Sequence, residues 1–118
     1  MKKIIFSIIL LTVILISNSY AQDQISSKDA KDNIGKTLQV KGKVAAIFIS
    51  DKGNMFVYFD DKSPNQTFTV AIFAGKNVDT GKITEGCVLT VYGEIKEYKG
   101  KPEIVIESNE QIISVEKE

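Results

Sequence analysis

The run Tyr98-Lys99-Gly100-Lys101 sets an aromatic ring beside two ammonium groups, and Phe56 and Tyr58 stand two residues apart in a chain whose every basic residue is lysine. Aromatic faces beside lysines can stack single-stranded bases while neutralising phosphates, an arrangement worth roughly 1–3 kcal/mol per stacked base. Catalysis has far less to work with. Histidine, arginine and tryptophan are absent, and there is one cysteine. Zinc lacks a ligand set, Cys87 lacks a base to activate it, and a nuclease would lack an arginine to stabilise developing phosphate charge beside its metal. Asp60-Asp61 could join Glu94 or Glu97 in a carboxylate cluster. Adjacent acids lack the spaced oxygens of a calcium loop, however, and they read as ordinary turn residues. No enzyme activity, cofactor or metal is expected. The absence of arginine also removes the side chain best suited to bidentate grips on phosphate or guanine.

The N-terminus carries a signal of its own. Lys2 and Lys3 precede the apolar run 4–16, and Ser19-Tyr20-Ala21 supplies small residues at the minus-three and minus-one positions. This pattern predicts a secretory signal peptide over residues 1–21 and a periplasmic or secreted mature protein. The apolar stretch is shorter than the roughly 20 residues that span a bilayer, so no transmembrane segment is expected after cleavage. No lipoprotein cysteine follows Ala21. Cleavage would remove two of the 15 lysines and leave the mature chain mildly acidic. A lone cysteine cannot form an internal disulfide, so the domain must be held by apolar burial. Cys87 opens the apolar run Cys87-Val88-Leu89-Thr90-Val91 and reads as a buried small hydrophobe.

The elements that must position the rings and lysines follow from periodicity. Residues 22–26 read as a flexible polar lead-in, and residues 27–35 as one short helix capped by Ser26 or Ser27 and ended by Gly35. Residues 22–36 thus form a lead-in and helix, and residues 37–118 the main domain. From Thr37 the period changes to two: Leu38, Val40 and Val44 point one way, while Gln39, Lys41 and Lys43 point the other. This strand is expected to run to about Ser50, with Gly42 where it bends or bulges to serve two sheets. A turn at residues 51–54 leads to a second strand over 55–59, with Phe56 and Tyr58 on its outer face. The third strand, 67–73, sends Phe68, Val70 and Ile72 inward and Thr67, Thr69 and Ala71 outward. Residues 74–86 admit only a short helical turn. A fourth strand over 88–98 buries Leu89, Val91 and Ile95, and Lys99-Gly100 makes a tight hairpin. A fifth, over 102–108, buries Ile104 and Ile106. A last extended piece is expected over 111–115.

A meander of three strands, a connector and a hairpin give the strand order of an OB-fold, an all-β, five-stranded barrel here with a short N-terminal helix, the fifth strand closing against the first. The rival is another small barrel or an incompletely closed sandwich. At Phe56-Val57-Tyr58-Phe59 followed by Ser63-Pro64-Asn65-Gln66-Thr67-Phe68-Thr69-Val70, and again at Val91-Tyr92-Gly93-Glu94-Ile95-Lys96-Glu97-Tyr98-Lys99-Gly100-Lys101-Pro102-Glu103-Ile104 with Gln111-Ile112, the chain resembles bacterial OB-fold nucleic-acid-binding domains of the tRNA-anticodon-binding type, in an exported stand-alone version. The similar segments run over about residues 33–115. Ser63 stands where the pattern has an aromatic before Pro64. The resemblance implies binding along the second and third strands and their flanking loops. That surface would present Lys41, Lys43, Phe56, Tyr58, Thr69, Tyr98, Lys99 and Lys101, with Lys52 and Thr67 nearby.

The implied function is a binding module for single-stranded nucleic acid or a similar anionic oligomer. Its affinity should be weak and salt-sensitive, because Asp60, Asp61, Glu94, Glu97 and Glu103 oppose a polyanion. A second resemblance, to small periplasmic OB-fold stress proteins, implies instead a cell-envelope module that binds protein or oligosaccharide. Strands also select aromatics for cross-strand packing, so the exposure of Phe56 and Tyr58 separates a platform from plain structure.

Overall fold

A computed structural model of the chain describes residues 23–118; the signal-peptide expectation lies outside them. The strands are β1 (Gln24–Ser26), β2 (Thr37–Ile49), β3 (Met55–Phe59), β4 (Phe68–Ile72), β5 (Val88–Glu94), β6 (Lys96–Tyr98), β7 (Lys101–Val105) and β8 (Ile112–Glu116). They are hydrogen-bonded in the order β6-β7-β4-β3-β2-β5-β8, with β1 parallel to β2. The polar lead-in is therefore ordered over its described part, Gln24 to Ser26 pairing with Gln39 to Lys41.

Alternation explains the interior. Val40, Val44, Val57, Phe59, Phe68, Val70, Leu89, Val91, Ile95, Ile104 and Ile106 are fully enclosed, and Leu38 packs against them half-buried. Phe59 and Phe68 meet edge to face at 5.0 Å. The pattern of β4 departs from expectation on its outer side. Thr69 and Ala71 are 5% and 0% exposed, because β4 lies between β3 and β7, and Tyr58, Phe56, Glu103 and Val105 flank them across the two ladders.

The long strand β2 divides its partners along its length. Thr37 to Lys43 pair with β5, and Val44 to Ile49 with β3, with a register shift between Val44 and Ala46. Gly42 sits at that division. A Cβ there would stand 2.2 Å from Ser27 Oγ and 2.9 Å from Phe59 Cδ2, so glycine is what lets the N-terminal segment close over the bend.

Closure differs from the expected pairing of fifth strand with first. The fourth strand, β5, pairs with β2, while β7 runs parallel to β4. β5 and β6 are separated only by Ile95, whose backbone exchanges hydrogen bonds with Gly35 and Lys36 at 2.7 and 2.9 Å. The sheet is not closed by hydrogen bonds; it curls round through the chain at Ile95, which hands the strand from β2 to β7. Gln111 braces this bend, its Nε2 donating to the carbonyls of Tyr92 and Val105 at 3.0 and 3.1 Å.

Two local elements also depart from expectation. The N-terminal helix is a 3-10 helix over Ser27–Asp32, shorter than residues 27–35, and the side chain of its N-cap Ser26 makes no capping bond. Ser27 is instead buried, its Oγ donating to Asp60 Oδ2 at 2.6 Å. Tertiary contacts of Ser27 and Ala30 set this segment, and six residues are too few for a helix to stand on propensity. Residues 74–86 contain turns and no helix, pinned by buried Ile83. The extended piece expected at the C-terminal end is found as the strand β8, antiparallel to β5.

Candidate functional site

The outer face of β3 carries Phe56 and Tyr58, which alternate with the buried Met55, Val57 and Phe59 and are half-buried themselves. Neither is sealed from solvent. Around them β2 contributes Phe48, β4 Thr69, β7 Lys101 and Glu103, the preceding hairpin Tyr98 and Lys99, and the loop before β4 Ser63, Pro64 and Gln66. Together they line a groove of about 350 Å³. Lys99 and Gly100 both adopt positive φ, 51° and 79°, the backbone of a tight two-residue hairpin. That turn holds Tyr98 at the rim.

Ring geometry favours flat ligands. Tyr98 is 56% and Phe48 55% exposed. Phe48 stacks on Phe56 with centroids 6.4 Å apart and planes 21° apart, and Phe73 meets Phe56 edge-on at 6.4 Å. Lys99 Nζ lies 5.4 Å from the centroid of Tyr98, placing a cation against a ring that remains open to solvent.

The polar lining is fixed from below. Lys101 Nζ donates to the Gln66 carbonyl at 3.2 Å, and Gln66 Nε2 donates to Thr69 Oγ1 at 3.1 Å. Gln66 is 8% exposed, and its Oε1 is buried without a hydrogen-bond partner. An unmade bond of this kind is costly, and it leaves the side-chain amide of Gln66 satisfied only at its Nε2 end, by Thr69. Burial pushes the Glu103 carboxyl above the ordinary glutamate range, and Lys96, its neighbour across the β6–β7 ladder, pulls the other way without overcoming it.

Of the residues expected at the site, Phe56, Tyr58, Thr69, Tyr98, Lys99 and Lys101 are brought together in the groove. Lys41 and Lys43 are not. They precede the division in β2, pair with Thr90 and Val88 of β5, and lie 3.5 and 3.2 Å from the carboxylates of Glu116 and Glu118. Lys52 is exposed in the turn after β2, and Thr67 donates to Asp60 Oδ2 away from the groove. Asp60 therefore spends its carboxylate on the hydroxyls of Ser27 and Thr67. Sequence reasoning missed Phe48, Gln66 and the placement of Glu103. The only signal for Phe48 was its alternation with Ala46 beyond the bend, and for Gln66 its place in the loop motif.

Comparison with known proteins adds a family. A family model described as an OB-fold nucleic acid binding domain, of the tRNA-anticodon type, matches residues 37–112. No curated protein sequence matches significantly. Among solved structures, the chain is similar to a "putative aspartyl-tRNA synthetase from Leishmania major Friedlin", at TM-score 0.53 and 12% identity, over 77% of this chain and 21% of that one. The chain thus spans about a fifth of that protein's length, and the likeness is one of fold. A "putative nucleic acid-binding lipoprotein from Klebsiella pneumoniae subsp. pneumoniae MGH 78578" aligns at TM-score 0.40 and 19% identity, over 67% of this chain and 73% of that one.

Proposed function

The chain belongs to the family of OB-fold nucleic acid binding domains of the tRNA-anticodon type, and from that premise we propose that it binds single-stranded nucleic acid in the groove across β3, β4 and the β6–β7 hairpin. Bases stack on the exposed rings of Tyr98 and Phe48 and against the half-buried Phe56 and Tyr58, and phosphates lie toward Lys99 and Lys101. The observation that carries this reading is the accessibility of those rings in one groove beside two lysines. The family match, to a nucleic acid binding domain, supports a binding module. We further propose that the protein works outside the cytoplasm, a reading supported by the Lys2-Lys3 start, the apolar run 4–16 and Ala21. The mass of the mature N-terminus tests that second point.

The test of binding is a titration with fluorescently labelled oligothymidylate at rising salt. Affinity should fall with a log–log slope of about −0.7 per phosphate contacted. Tyr98→Ala should weaken binding by about 1–3 kcal/mol while leaving the thermal midpoint unchanged, since the ring is exposed. Failure to bind at low salt, or binding indifferent to both salt and Tyr98, would point instead to a protein or oligosaccharide ligand.

A further inference from the structure

We infer that the nucleic-acid path continues out of the groove, over Gln66 and Lys101, onto a separate phosphate grip formed by Lys28 and Lys31 of the N-terminal 3-10 helix. This rests on the groove reading, and it concerns residues outside the 37–112 segment that the family model covers. A second depression, of about 490 Å³, adjoins the groove and shares Gln66 and Lys101 with it. Lys28, Lys31 and Asn65 line it as well and do not line the groove.

Four observations assign this depression to phosphate. Lys28 and Lys31 are three apart in a 3-10 helix, whose three-residue turn eclipses side chains at that spacing, so both ammonium groups leave the same edge. The helix is anchored from beneath by buried Ser27 and Ala30 and by the Ser27–Asp60 hydrogen bond, so that edge is held against the barrel. The ion pairs among the described residues are Lys41–Glu116, Lys43–Glu118 and Lys76–Glu107, which leaves Lys28, Lys31 and Lys101 without carboxylate partners. No acid or aromatic ring lines the depression, whereas the groove holds rings and the carboxylate of Glu103. The two cavities therefore divide the labour: a desolvated carboxylate repels phosphate where rings accept bases, and three cations attract it where no ring is offered. Gln66 and Lys101 line both cavities and so mark where one passes into the other.

The experiment compares labelled oligothymidylates, a trinucleotide and one of about ten nucleotides, the latter within the site sizes of single OB-folds. Binding is measured to the unaltered protein, to the double variant Lys28→Gln/Lys31→Gln, and to the control Lys41→Gln/Lys43→Gln on the far side of β2. The unaltered protein should bind the longer oligomer more tightly than the trinucleotide. Lys28→Gln/Lys31→Gln should abolish most of that gain and make the salt slope shallower by about 1.4, two single-strand phosphate contacts, while trinucleotide affinity and the melting temperature stay put. The control should do neither. An unchanged slope in Lys28→Gln/Lys31→Gln, or an equal loss in the control, would overturn the path. If the unaltered protein binds neither oligomer the groove reading falls with it. If Tyr98→Ala weakens binding while the lysine pair does not matter, the groove reading stands and this inference alone fails.

Discussion

Glu103 sits in the groove against the grain of its proposed ligand. Its carboxyl is held above the ordinary glutamate range by burial, so between the unfolded and folded values the native state binds more protons than the unfolded chain. Stability on this account falls as pH rises through that window, and the cost is complete above it. Glu103→Gln should therefore raise the melting temperature at neutral pH and lose that advantage once the pH drops below the ordinary carboxylate range. The same change removes a negative charge beside Lys101 and should tighten oligonucleotide binding. A variant that melted lower than the parent at neutral pH would show that attraction to Lys96 outweighs desolvation. The other informative residue is Gln66, whose amide is half satisfied by Thr69 and which lines both cavities.

Among the elements, β2 decides where the site can be. It pairs with β5 up to Lys43 and with β3 from Val44, and the bulge between Val44 and Ala46 redirects everything beyond it. Lys41 and Lys43 lie before that bend and Phe48 lies after it, which is why the lysines pair with the C-terminal acids while the ring joins the groove. Gly42 makes the bend possible by admitting Ser27 and Phe59 against the backbone. Gly42→Ala should consequently cost about 1–3 kcal/mol through overpacking, read as a lower urea midpoint at constant slope. A neutral result would mean that the N-terminal 3-10 helix lifts away freely, and Lys28 and Lys31 would then lose their fixed edge.

For the whole molecule, stability rests on one apolar interior with no covalent staple. Cys87 is free, 3% exposed, and sits among the core side chains at the start of the β5 region. The thermal midpoint should be the same with and without reductant, and a thiol reagent should label Cys87 only as the protein unfolds. Rapid labelling under native conditions would place Cys87 at a site of local opening. Among the described residues no helix is long and apolar enough to cross a membrane.

Two-residue alternation was enough to read β2 to β5, the β6–β7 hairpin and most of the interior, because a half-buried strand must put its apolar side chains on one face whatever its neighbours. The linked motifs were enough to identify the family, and the Lys99-Gly100 turn to bring Tyr98 and Lys101 together. Strand partners were another matter. That β7 runs parallel to β4, that β8 and β1 are paired strands, and that Lys41 and Lys43 belong to a different face from Phe56 all depend on where β2 bends and which edge remains free. Periodicity tells which side of a strand is apolar; only the folded arrangement tells what lies across from it, and so which rings stay open and which lysines find acids first.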